Sequence, residues 1–263
     1  MNAKSAVRVL DILEFVAARS SGLSRAEIAG TLGIPKSSAS ILLRTLVDRH
    51  YLRQDPVTQR LELGVRAFET GQSFLRQVQV RDTARPALDA LVREFGHTCH
   101  LAVLDGRDVV YLDKVDPPQA AVQLVTFIGS RLAAVHTAVG RAQLAHLSDE
   151  DLELRFEAVS DTDALTAIRA SRGDIRRRGW ASENGETTPG ICCVAAAILS
   201  HSGAPAAAIG ITYLDAASAD FEEAAGARLR DAAHDVSLLQ GYRPPAPTGI
   251  RPSAGPSTER RIA

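Results

Sequence analysis

Lys36-Ser37-Ser38-Ala39-Ser40, with Arg44 one turn further on, places two cations and three hydroxyls within nine residues. Ala39, Leu42, Leu43, Leu46 and Val47 recur at i, i+3, i+4, i+7 and i+8, an apolar helical stripe. The opposite face then carries Lys36, Ser37, Ser40, Ile41, Arg44 and Asp48. Small hydroxyls at Ser37, Ser38 and Ser40 allow close approach to phosphates or bases. Lys36 offers a charge to a phosphate, and Arg44 is the long donor able to span a guanine edge with two hydrogen bonds. The plainer alternative is an ordinary solvated helix face. A second group, His97, Cys99, His100, Cys192 and Cys193, has metal-ligand and thiol chemistry. The regular zinc spacings are absent, and on a strand only His97 and Cys99 share a face. Cys193 with His136 could be imagined as nucleophile and base, but no third group orients them. No catalytic residues, metal or cofactor are therefore expected; a metal- or thiol-responsive sensor, or an enzyme using Cys193, is the alternative.

The elements around Lys36–Arg44 suit a reading role. Residues Ser5–Ala18 have helical apolar spacing. Ser24-Arg25-Ala26-Glu27 has the form of a capping box opening a short helix to Thr31. Leu32-Gly33-Ile34 makes a tight turn, and Pro35 starts the third helix, which runs to His50. Tyr51–Gln54 and Arg60–Leu63 flank Asp55-Pro56 and form a hairpin. Three helices and a hairpin compose a winged helix–turn–helix, a fold that lays one helix in the major groove of DNA. On the hairpin, Gln59 and Arg60 could touch the flanking DNA backbone.

Further on, residues 65–79 form a connecting helix, and Asp82–Phe95 another. Thr98–Leu104 and Val109–Val115 are strands joined by Asp105-Gly106-Arg107-Asp108, and Gln119–Phe127 is an extended run. Helices follow at Thr137–Leu147, Ser148–Phe156 and Asp163–Arg178. Ile191–Ser200 and Pro205–Leu214 are paired strands, and Ala219–Gln240 is a terminal helix. This order predicts an α+β domain, an antiparallel sheet covered by helices. The expected division is a DNA-binding domain over 1–66, a linker helix over 67–78, a sensor domain over 79–243, and a Pro/Gly/Ser/Thr-rich disordered tail over 244–263.

Bulk properties agree with such a division. Residues 1–66 carry ten Lys/Arg against six Asp/Glu, a formal +4, whereas residues 79–243 carry sixteen against twenty-three, a formal −7. A basic module beside an acidic body points to a polyanion partner for the first part. Three cysteines are too few for a disulfide scaffold. No apolar run approaches the ~20 residues that span a bilayer, and Asp11 and Glu14 interrupt the N-terminal segment. A cytoplasmic protein with no membrane partner is expected.

Four ordered segments carry a resemblance to a known family: AEIAGTLGIPKSSASILLRTL (26–46), HLAVLDGRDVVYLDKV (100–115), GSRLAAVHTAVGRAQLA (129–145) and RRGWASENGETTPGICCVAA (177–196). Over roughly Ser5 to Tyr242 the chain resembles the IclR family of bacterial transcription regulators. The resemblance implies a winged-helix reader, a linker helix and a GAF-like effector-binding domain. It implies dimers or tetramers, a pseudo-palindromic double-stranded DNA operator, and small organic or aromatic acids as effectors. The pocket it implies has apolar walls at Leu124 and Leu132. An anion site falls at the helix entry Thr137-Ala138-Val139-Gly140. Glu183 and Cys193 come from the fourth segment, and Gly210 and Thr212 from the last strand. Some positions depart from the family pattern. Ile41 stands where an Arg is common, Val135 where a His is common, and His97 where an acid is common. Related sequences often have Asp in place of Glu183 and Ser in place of Gly210.

Overall fold

The computed structural model describes residues 3–19, 21–77, 79–118, 127–156, 162–214 and 219–244. The chain divides into two units, Met1–Gln79 and Val80–Ala263. The expected extended run at Gln119–Phe127 lies, apart from Phe127, outside the described residues, and so does nearly all of the tail.

The first unit contains α1 (Lys4–Ala17), α2 (Arg25–Thr31), α3 (Lys36–Asp48), the strands β1 (Leu52–Gln54) and β2 (Leu61–Leu63), and α4 (Val65–Gln77). The capping box forms: Ser24 Oγ accepts from the Glu27 amide at 3.2 Å, and Glu27 accepts from the Ser24 amide at 2.7 Å. Those two bonds satisfy two of the donors a helix start leaves over. Ile12, Ile28, Leu43, Leu52 and Leu61 close a core around which the three helices and the hairpin pack.

The second unit opens with α5 (Gln79–Phe95) and the strands β3 (Thr98–Asp105) and β4 (Asp108–Val115). Strand β5 (Arg131–Ala133) leads through a 3-10 turn at Ala134–His136 into α6 (Ala138–Leu144), α7 (Asp149–Phe156) and α8 (Thr162–Arg178). Strands β6 (Ala181–Asn184), β7 (Ile191–Leu199) and β8 (Pro205–Leu214) precede α9 (Ala219–Leu239). The sheet is antiparallel in the order β5-β4-β3-β8-β7-β6. This is the predicted α+β class, with two short strands, β5 and β6, that sequence reasoning missed. Both lie at sheet edges and are only three and four residues long, too short to show alternation.

Cross-strand register sorts the side chains. Glu183 pairs with Cys193, Cys193 with Thr212, and Thr212 with Thr98, so these share one face; Ala195, Gly210 and His100 follow on the same face. Ala102, Ala195 and Ala208 there pack against Val139 and Ala142 of α6 and Ile168 of α8. The register of β3 and β4 slips between Leu101 and Ala102, pairing Leu101 with Asp113 but Ala102 with Tyr111. This bulge sends Tyr111 to the α6 face and Asp113 to the opposite one. There Asp113, 2% exposed, meets the guanidinium groups of Arg81 at 3.5 Å and Arg85 at 3.4 Å from α5. Among the described residues no helix is long and apolar enough to cross a membrane.

Candidate functional site

The first candidate surface is α3. Its buried face is Ala39, Leu43 and Leu46. Lys36, Ser37, Ser40, Ile41 and Arg44 are exposed, and Ser38 is half-buried. Ile41, at 57% exposure, is an apolar patch among them. The helix begins at Pro35 without a side-chain cap, so its first-turn amides point outward unclaimed by a capping side chain. Among the described residues neither Lys36 nor Arg44 has an ion-pair partner, so both charges face solvent.

The hairpin has other work. Asp55 Oδ1 accepts from the amides of Val57 and Thr58, at 3.0 and 2.7 Å, and from the Thr58 hydroxyl at 2.9 Å. These bonds hold its carboxyl below the usual carboxylate range. Gln59, at φ 58°, turns its side-chain amide back to the Pro56 carbonyl. Arg60 points inward: Nε donates to the carbonyls of Ser21 and Gly22 at 3.1 and 3.2 Å, and Nη2 to Glu27 at 3.2 Å. Arg60, expected beside the DNA backbone, is thus tied through Nε and Nη2 to the segment before α2 and to Glu27, while its side chain stays about one-third exposed.

The second candidate is a cavity of about 210 Å³ on the α6 face of the sheet. Of the residues expected there, Leu132, Thr137, Ala138, Glu183, Cys193 and Thr212 line it. Three do not. Val139 is fully buried in the core beneath. Gly140 is a close-approach position: a Cβ would stand 2.1 Å from the Ala134 carbonyl oxygen, and its amide donates to Thr137 Oγ1 at 3.1 Å. Gly210 faces the His100 imidazole rather than the cavity. Leu124 lies outside the described residues. Sequence reasoning missed Tyr111, Ser130, Thr187, Thr188 and Ile191, all of which line the cavity. The bulge opposite β3 hides Tyr111 from any alternation along β4, and the loop threonines show no periodic signal.

Among the described residues the lining carries one carboxylate and no Lys, Arg or His. Glu183 is 4% exposed; its oxygens accept from the Glu186 amide at 3.0 Å and the Thr187 hydroxyl at 3.3 Å. Burial raises its pKa despite those bonds. Thr137 caps α6, accepting from Gly140 and donating to the Ala134 carbonyl at 3.3 Å. Glu186 on the rim is paired with Arg141 of α6, which also donates to the carbonyls of Val135 and Ser182. The imidazole touching Cys193 is His100, 3.7 Å away, while His136 sits 3.8 Å from Glu186. Burial pushes the Cys193 thiol far up and drops His100 to about 4, so neither the thiolate nor the imidazolium that a nucleophilic pair needs is favoured. Among the described residues no three His, Cys, Asp or Glu side chains cluster as metal ligands would.

A helix–turn–helix unit followed by an α+β unit with a polar-rimmed pocket defines a class, that of DNA-binding regulators carrying a second domain. Residues 5–56 match the IclR helix-turn-helix domain, and residues 72–238 match the domain described as bacterial transcriptional regulator IclR C-terminal. The chain belongs to the IclR family of bacterial transcription regulators, whose members bind DNA and small-molecule effectors and are not enzymes. It is 31% identical over 251 residues to the HTH-type transcriptional regulator XynR of Escherichia coli, covering 91% of this chain and 98% of that one. It is 35% identical over 213 residues to the HTH-type transcriptional regulator BhcR of Paracoccus denitrificans, covering 78% and 75%. Among solved structures, the Thermotoga maritima IclR is similar with a TM-score of 0.72 at 26% identity, covering 90% of this chain and 99% of that one. An IclR homolog from Microbacterium hydrocarbonoxydans complexed with 4-hydroxybenzoate shares the fold, with a TM-score of 0.76 at 21% identity and 90% and 99% coverage.

Proposed function

We propose that the second unit is a GAF-like effector domain, that its cavity binds a small organic acid from catabolism, and that occupancy changes operator affinity. The cavity carries this reading: about 210 Å³, somewhat more than the ~150 Å³ void that admits benzene, with Leu132 and Ile191 as apolar wall and hydroxyls around the rest. The Tyr111 and Ser130 hydroxyls on its lining supply donors for an acid group. A shared fold with a homolog complexed with 4-hydroxybenzoate supports an acid of this size. Operator reading falls to Lys36, Ser37, Ser38, Ser40 and Arg44, with Gln59 and Arg60 of the hairpin beside the flanking backbone, in a homodimer or tetramer on a pseudo-palindromic site in the cytoplasm. The proposed division is DNA-binding domain 1–66, linker helix 67–78 and effector domain 79–243.

Calorimetry with a panel of small acids, with and without operator duplex, tests the coupling. Linkage requires that an acid changing operator affinity by some factor has its own affinity changed by the same factor when DNA is present. Acids that bind with identical affinity in both conditions, and never move the operator affinity, would count against the reading.

A further inference from the structure

The six hydroxyls lining the cavity belong to Tyr111, Ser130, Thr137, Thr187, Thr188 and Thr212. Several are oriented by the wall behind them. Thr187 donates to Glu183 Oε1 at 3.3 Å. Thr212 Oγ1 has His100 Nδ1 at 3.4 Å and Cys193 Sγ at 3.9 Å. In one tautomer of the neutral imidazole the Thr212 proton goes to Nδ1, and in the other to sulfur; both lie in the wall. A hydroxyl whose proton is turned into the wall shows lone pairs to the cavity. Glu183 adds two oxygens, which take internal donors from Glu186 and Thr187 and keep acceptor capacity. The β6–β8 end of the cavity therefore accepts hydrogen bonds.

The β4–β5 end differs. Among the described residues the Tyr111 hydroxyl, on the cavity lining, has no hydrogen-bond partner, and Ser130 Oγ accepts from the Phe127 amide at 3.0 Å, which leaves its proton for the cavity. These groups can donate. Among the described residues no cation stands in the lining to neutralise a second acid group.

We infer that the ligand of this cavity is a polyhydroxylated small molecule with at most one negative charge. Its hydroxyls donate to the Glu183, Thr187 and Thr212 wall, and its acid or carbonyl end accepts from Tyr111 and Ser130. The inference rests on the cavity being the effector site. A dicarboxylate would bring a second anion against Glu183. An amine would answer Glu183 alone, while the acceptors are spread over β6, the following loop and β8, and two of the three are neutral oxygens suited to neutral donors.

Three four-carbon acids of matched size test this on the full-length chain by calorimetry: butanoate, its trihydroxy derivative and its terminal-amine derivative. The trihydroxy acid should bind about tenfold or more tighter than either mate, the difference one or two hydrogen bonds make. Thr187→Val and Thr212→Val should each erase much of that preference, with cooperative melting of the unliganded variants checking that they fold. The ligand comparison on the unaltered chain stands without them. Equal or tighter binding of butanoate, tighter binding of the amine, or no binding of the trihydroxy acid at millimolar concentration overturns the inference. Binding of any of the three that also survives filling the cavity with Leu132→Trp overturns the assignment of the cavity itself.

Discussion

The His100 imidazole occupies the space that a side chain on Gly210 would need: its Nε2 lies 2.8 Å from where a Cβ would stand, and Val139 Cγ1 lies 3.1 Å from the same point. The two residues face each other across β3 and β8. Tyr111 packs against the same imidazole, with ring centroids 5.1 Å apart. Gly210→Ser should therefore cost about 1–3 kcal/mol, the usual range for overfilling a packed interior. His100→Ala should relieve most of that cost. A double-mutant cycle by urea denaturation measures the coupling; additive losses would show that the imidazole is free to move aside.

Acid should weaken the protein through its buried histidines. Burial lowers His100 and His146 from 6.5 to about 4 each. The unfolded chain thus binds protons at these sites before the native state does. Stability is fully present above the unfolded value, and it falls as pH drops from about 6.5 toward about 4, by on the order of 2 kcal/mol for each group. Denaturation midpoints of the wild type and of His100→Asn across that range check this; the variant's curve should be flatter.

On α3, Arg44→Ala should cost about 1–3 kcal/mol at one operator base pair and relax selectivity there. Lys36→Ala should weaken binding to all duplexes alike and reduce the salt slope by about one ion. Arg60→Ala should act differently, lowering the melting temperature by loosening the hairpin from α2. Fluorescence anisotropy on single-base operator variants, at several salt concentrations, separates the three.

The buried Asp113 should be sensitive to neutralisation. Asp113→Asn leaves Arg81 and Arg85 without their shared carboxylate. Both arginines keep partial solvent access, so a loss on the order of 2 kcal/mol is expected, below that of a fully buried pair. Chemical denaturation reads it, and an unchanged midpoint would mean the cluster contributes nothing net.

Cys193 should be a poor nucleophile although it borders a cavity. With its thiol pushed up by burial, labelling by iodoacetamide near neutral pH should be much slower than for an exposed cysteine, and slower still in the presence of a pocket ligand. Rapid labelling of the folded protein would reopen a thiol-responsive role.

Much of the first unit was legible because its signals are local. The Ser24–Glu27 box spans three residues, the α3 stripe repeats within a few turns, and the turn before Pro35 is set by Gly33 at φ 61°. Each depends on neighbours in the chain, which a periodicity or a cap exposes directly. The same holds for β3, β4, β7 and β8, apolar-rich runs of eight to ten residues, the first pair joined by a turn signal at Asp105–Asp108. Strands β5 and β6 escaped because three or four residues at a sheet edge are held by partners elsewhere in the chain.

What the sequence determined by itself, then, is the third helix with its cation and hydroxyl face and the α+β class of the second unit, while six of the residues that border its cavity were implied by the family resemblance. Tertiary structure alone decided which of the expected residues are available. Arg60 turns toward Ser21, 39 residues away; Thr212 meets His100 across 112 residues; Gly210 is filled by that imidazole instead of opening on the cavity. Hydrogen-bond donors are finite, and whether a proton faces a ligand or the wall depends on which distant acceptor the fold brings within about 3 Å, a distance that no spacing along the chain encodes.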